Sequence, residues 1–144
     1  MNRVVSAASA VLLVLGASLV GAPQAAAAGD QTIRLQDGQI RCLLSSDYEG
    51  RGWAAAICGR SNGGPFGMSP PPLNLAVVQG AGQMYFVEGT VPGDGSNDVV
   101  VGAGQTYNVN GWTIKTEELR TMIWNDRSRH GMRVNPVEAA AIWI

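Results

Sequence analysis

The sequence is poor in the residues that most often carry chemistry. It holds one histidine (His130), two cysteines and one lysine (Lys115). That set does not complete a four-ligand zinc site without help from carboxylates. No Gly-x-Ser-x-Gly turn, Walker loop, His-Glu-x-x-His pair or Cys-x-x-Cys pair occurs. Charge is scarce: 10 Lys+Arg stand against 11 Asp+Glu, for a formal net charge of −1. Such a balance disfavours non-specific nucleic-acid binding. Nothing in the pattern implies a cofactor or a metal.

What is present begins with an address. Met1-Asn2-Arg3 carries one positive charge, and an apolar run follows from Val4 to Val20. Pro23 and the small-residue tract Ala25 to Ala28 come next. Charged start, apolar centre and an A-x-A end are the parts of a secretory signal peptide. Residues 1–28 are therefore expected to be the leader, cut after Ala28, and 29–144 a single β-rich globular domain. A retained anchor is the alternative, but the run is at the short limit for a spanning helix and is diluted by Gly, Ser and Ala. No second apolar run of membrane length follows, so no membrane span is expected after cleavage. The 116 residues that remain are enough to bury about two-thirds of their unfolded surface.

In an exported chain an even cysteine pair reads as a disulfide. Cys42 and Cys58 would close a loop of 15 residues, worth about 3 kcal/mol on the loop-entropy account. A redox-active pair is the other reading, but such pairs sit closer in sequence, beside a cation-rich helix start.

Downstream the signal is alternation rather than helical periodicity. Ile33 and Leu35, then Ile40, Cys42 and Leu44, flank Asp37-Gly38, which predicts a two-residue hairpin turn. Trp53–Cys58 reads as a short apolar strand after a polar loop, Asp47–Gly52. Gly59–Pro72 is rich in breakers and ends in Pro70-Pro71-Pro72; it predicts a rigid crossover with polyproline II character. Leu73–Val78 and Met84–Val87 form a hairpin around Gly80-Ala81-Gly82. Val99–Val101 is a short β-branched run. Tyr107 and Val109 meet Trp112 and Ile114 across Asn110-Gly111, the most specific turn signal in the chain. For residues 116–124 a helix capped by Thr116 competes with a turn and strand, and the alternation of Met122 and Trp124 favours the strand. His130–Val134 is a further strand, and 136–144 a closing strand or short helix. Eight or nine short strands with turns every 8 to 12 residues predict an all-β fold: an antiparallel β-sandwich or small β-barrel built from hairpins.

Four features invite a functional reading. Asp126, Ser128 and His130 sit at i, i+2, i+4 and on a strand would share a face, but nothing supplies triad geometry or an oxyanion site. Asp94, Ser96 and Asp98 alternate as calcium ligands do, yet Val99 and Gln105 stand where an EF-hand needs glycine and glutamate. Arg120, Arg127, Arg129 and Arg133 cluster near His130 and offer a cationic patch; Glu117, Glu118 and Asp126 are close enough to neutralise it. Trp53, Trp112, Trp124 and Trp143 line either a pocket or, more in keeping with large aromatics, the core.

The series Gly104-Gln105-Thr106-Tyr107, Gly111-Trp112-Thr113-Ile114, Asn125-Asp126 and His130-Gly131-Met132 with Val134 resembles small secreted proteins of mycobacteria and related actinobacteria. Ile40-Arg41-Cys42 and the strand Leu73–Val78 fit the same pattern. The resemblance implies an exported protein and no particular reaction. Arg129 stands where it leads one to expect glycine, and Arg133 where it leads one to expect an aromatic.

The first functional expectation is thus an exported, non-enzymatic binding or interaction module at the cell envelope or outside the cell. Its partner, an envelope component or protein, would meet Arg127, Arg129, His130 and Arg133. Second stands a small-ligand carrier with a pocket lined by Trp and Met. A hydrolase using His130 stands last.

Overall fold

The structure, a computed structural model, describes residues 29–144; the expected leader lies outside them. Eleven strands run in chain order: β1 Gln31–Leu35, β2 Ile40–Ser45, β3 Ala55–Arg60, β4 Leu75–Gln79, β5 Met84–Val87, β6 Val99–Val100, β7 Thr106–Val109, β8 Trp112–Thr116, β9 Thr121–Asn125, β10 His130–Val134 and β11 Ala139–Trp143. They form two sheets. Sheet A has the order β5-β4-β3-β2-β1-β6 and sheet B the order β11-β10-β9-β8-β7. All pairings are antiparallel except β1 with β6. The fold is a sandwich and not a closed barrel.

The period-2 pattern explains the packing. Ile33, Leu35, Ile40, Leu44, Ala56, Ala76 and Val78 face inward from sheet A, and Trp112, Ile114, Ile123, Met132 and Val134 meet them from sheet B in one core cluster. The fully buried Trp112 also ties the sheets together, its indole Nε1–H donating to Ser45 O at 3.0 Å. Cys42 and Cys58 are direct cross-strand partners of β2 and β3, disulfide-bonded and wholly buried on this inner face.

Most expected elements occur where the pattern puts them. Asn110-Gly111 makes a two-residue turn with φ of 53° and 81°, pairing Val109 with Trp112. Residues 117–120 turn between β8 and β9, so the alternation of Met122 and Trp124 is a strand and not a helix. The 136–144 segment closes sheet B as β11.

Three expectations change. The first hairpin turn is wider than two residues. Leu35 pairs with Ile40, and Gln36, Asp37 and Gly38 all take positive φ between them. The breaker-rich stretch is not a crossover, because β3 and β4 are neighbours in sheet A. It folds back over the end of the sandwich instead, inserts Phe66 into the core at 1% exposure, and hydrogen-bonds Gly67 N to Val137 O in the β10–β11 turn. Its prolines form a turn closed by Leu73 N and Pro70 O, with a cis Pro71–Pro72 bond, and not a polyproline II segment. The strand count also rises to eleven, since pairs as short as β6 join the sheet.

Sheet A differs from the expected half-buried sheet in one further way. The outward residues Leu43, Ala55, Ile57, Leu75 and Val77 form a second buried cluster with Val91. Both faces of β2, β3 and β4 are therefore covered, which their near-continuous apolar runs reflect.

Candidate functional site

The cover over that outer face is the connection from β5 to β6. These strands lie at opposite edges of sheet A, so residues 88–98 must cross it as a strap. Three fastenings hold the strap down. Asn74 bonds Gly89 twice, Nδ2 donating to the carbonyl and Oδ1 accepting from the amide, both at 2.9 Å. Arg41 Nη1 donates to Val91 O at 2.8 Å. Asp98 receives Arg41 through Nε at 2.8 Å and Nη2 at 3.0 Å, and Arg34 Nε at 2.9 Å. The Asp98 side chain is only 2% exposed. Burial opposes its charge, but hydrogen bonds from Arg41 and Thr32 and the two guanidinium charges outweigh that, and its carboxyl titrates below the usual range.

Between the strap and the β2–β3 loop a cavity of about 220 Å³ opens on the apolar floor. Ile57, Leu75, Val77 and Val87 line its base; Tyr48, Trp53 and Tyr85 stand around it, and Glu88 is the charged residue of the lining. Local sequence explains each wall. The polar loop 47–52 is folded on itself, Tyr48 N bonding Trp53 O at 2.8 Å and Gly52 N bonding Asp47 Oδ1 at 2.6 Å. That closure brings the Tyr48 and Trp53 rings to 5.2 Å at 54°, a tilted arrangement favoured by ring quadrupoles. Tyr85 is the outward residue of β5, its hydroxyl held by Gln79 Nε2 at 3.1 Å. Burial, with help from the Glu49 charge, pushes the Tyr48 phenol up, so it stays a neutral donor.

The residues singled out from sequence are dispersed. Arg127 and Arg129 lie together on the exposed β9–β10 turn, shaped by Asn125 Oδ1 accepting from the amides of Arg127 and Ser128 at 3.1 Å. His130 opens β10 beside them, stacked on Trp143 at 5.3 Å and 9°, and close against Gly82. Arg133 is on the outer face of sheet B, 3.6 Å from Glu138, and Arg120 pairs with Glu117 at 2.8 Å. Arg120 and Arg133 are thus matched by acids, while Arg127 and Arg129 make no ion pair among the described residues.

Asp126 and Ser128 belong to the turn and share no strand face with His130. The Asp126 carboxylate accepts from Thr113 Oγ1, and Ser128 Oγ accepts from the His130 backbone amide at 3.2 Å. Asp98 is committed to the two arginines, and Asp94 accepts from Ser96 N at 2.9 Å. Among the described residues no cluster of three or more His, Cys, Asp or Glu is placed to hold a metal ion. No helix among them is long and apolar enough to cross a membrane.

The four tryptophans take four environments: Trp112 in the core, Trp53 in the cavity wall, Trp124 on the outer face of sheet B, and Trp143 at the β11 edge. Only Trp53 lines the aromatic cavity, and no methionine does. Tyr48, Tyr85 and Glu88 escaped the sequence reading. The available signal was an aromatic at each end of the loop 47–53, which marks a loop that closes on its own rings. Comparison with family models, curated proteins and solved structures finds no match to the chain.

Proposed function

We propose that the chain is an exported, non-enzymatic binding protein, and that its cavity on the outer face of sheet A takes a small apolar ligand, neutral or cationic. The observation that carries this reading is the convergence of Tyr48, Trp53 and Tyr85 on one apolar floor, with Glu88 as the charged group beside them. Aromatic faces attract cations and flat apolar groups, and a nearby carboxylate repels anions. The volume suits a molecule smaller than a drug-sized ligand. Export rests on the leader pattern of residues 1–28, and the buried disulfide is compatible with an oxidising compartment. The non-enzymatic reading rests on His130, Asp126 and Ser128 each being engaged elsewhere. The arginine cluster ranks second, because two of its four members, Arg120 and Arg133, are already paired with Glu117 and Glu138 and only Arg127 and Arg129 share the β9–β10 turn.

The test is an NMR titration with benzyltrimethylammonium, and with benzoate as an anion of related shape. The cation is expected to shift the Trp53 indole N–H saturably and to bind about tenfold more tightly than benzoate, an advantage of about 1.4 kcal/mol. Trp53→Ala should abolish the effect, and Trp124→Ala on the opposite sheet should leave it intact. No saturable shift, or equal binding by the Trp53→Ala variant, overturns the assignment.

A further inference from the structure

Sheet B ends at β11 in an edge that takes no part in the cavity lining. β11 pairs with β10 on one side, and no strand among the described residues pairs with the other. The ladder fixes which backbone groups are left. Ile144 N bonds Arg129 O at 2.8 Å and Asn135 N bonds Glu138 O at 2.9 Å. Antiparallel ladders alternate, so Glu138, Ala140, Ile142 and Ile144 point their amide groups at β10. The N–H and C=O groups of Ala139, Ala141 and Trp143 point outward.

Natural edges are normally guarded by charge, proline or a bulge. This one has none within the strand: no side chain from Ala139 to Ile144 is charged, and the register with β10 runs unbroken from Ala139 to Trp143. Exposed apolar bulk gathers here as well. Val137 is 66% exposed, Trp143 75% and Ile144 48%.

We propose that β11 is a self-association edge whose occupant is β11 of a second copy of this chain, paired antiparallel about a twofold axis through Ala141. In that register Ala139 faces the partner's Trp143, Ala140 faces the partner's Ile142, and Ala141 faces its own counterpart. Every large side chain then meets an alanine, and every outward N–H and C=O of the three residues finds a mate. A shift by one residue would pair outward groups with groups already used by β10, and a shift by two would either set Ile142 against its own counterpart or move Trp143 off Ala139 to the partner's Val137, so the alanine-against-large pattern selects this register. The contact is isologous and closes at two copies, joining two five-stranded sheets into one. An unrelated extended peptide would gain the same hydrogen bonds, but nothing in this edge selects its side chains, whereas the alanine-against-large pattern is met by the strand itself.

Sedimentation equilibrium on the secreted protein tests this, with hydrogen exchange at Ala139, Ala141 and Trp143 read at high and low concentration. A monomer–dimer equilibrium is expected, with slow exchange at those three amides in the dimer and fast exchange in the monomer. Ala141→Pro removes an outward N–H and no internal ladder bond, and Ala141→Lys sets two like charges face to face. Both should be folded and monomeric throughout the concentration range. A wild-type protein that stays monomeric, a species larger than a dimer, or a dimer that survives in both variants overturns the proposal.

Discussion

Arg129 holds φ at 67°, a left-handed conformation that costs a residue with a Cβ roughly 1–2 kcal/mol. The turn tolerates it because Asn125 organises three successive amides, Oδ1 accepting from Arg127 and Ser128 and the carbonyl accepting from Arg129 at 2.8 Å. Glycine would hold this position without strain, at some extra loss of unfolded-state freedom. Arg129→Gly is therefore expected to stabilise the fold by about 0.5–1 kcal/mol, read as a rise in thermal midpoint of a few degrees. An unchanged or lowered midpoint would mean that the guanidinium contributes more than the backbone loses. Trp112 is the opposite case, a residue already at its best. Trp112→Phe keeps most of the apolar bulk but leaves the buried Ser45 carbonyl without its donor. A loss of about 1–3 kcal/mol in denaturant unfolding is expected. The sequence pointed to the core for Trp112, but Arg129 stood out only as part of a cationic cluster and as a residue in place of an expected glycine. The positive φ and the inter-sheet hydrogen bond were not legible, since each depends on a partner that alternation does not reveal.

At the scale of elements, the strap 88–98 decides whether the cavity exists. Its anchor is the Asp98 carboxylate between Arg34 and Arg41. Because folding lowers this carboxyl below its ordinary value, its contribution to stability is complete above the unfolded value, near pH 4, and is lost as pH falls through the folded value. Asp98→Asn removes one member of a buried ionic cluster and should cost about 3 kcal/mol at neutral pH. The midpoint difference between wild type and variant should be constant from about pH 5 upward and should shrink below about pH 4. A difference that ignores acidification would show that Asp98 acts by shape and not by charge. None of this was legible beforehand. Asp98 lies 57 residues from Arg41 and 64 from Arg34, and on sequence alone it reads as one more acid in a glycine-rich turn. The hairpins were legible because their information is local: Asn110-Gly111 carries its own turn, and Gly80-Ala81-Gly82 breaks the chain between two short apolar runs.

Taken together, the described residues form two sheets welded by one apolar layer, with a second layer under the strap, and the disulfide sits in the first of these. Cys42 and Cys58 are both 0% exposed and lie between inward-facing neighbours of β2 and β3. The leader pattern and the cysteine count led to the expectation of this bond. That it belongs to the inter-sheet core depended on the parity of Cys42 with Ile40 and Leu44, which alternation did supply. Burial has a kinetic consequence. A thiolate reductant must reach a sulfur to attack it, and in the native sandwich it meets side chains on every side. Reduction should therefore proceed through unfolded molecules, with a rate that is negligible in buffer and rises with urea in step with the unfolded fraction or the unfolding rate, according to which limits attack. The Cys42→Ala/Cys58→Ala double variant, lacking the loop constraint, should lose about 3 kcal/mol and show the same native strand signature by circular dichroism. If dithiothreitol instead reduced the wild-type bond in buffer at a rate indifferent to urea, the β2–β3 pair would have to open locally without the rest of the sandwich. Sheet A would then be two cooperative units rather than one, and the strap that spans β5 to β6 would not hold its face closed.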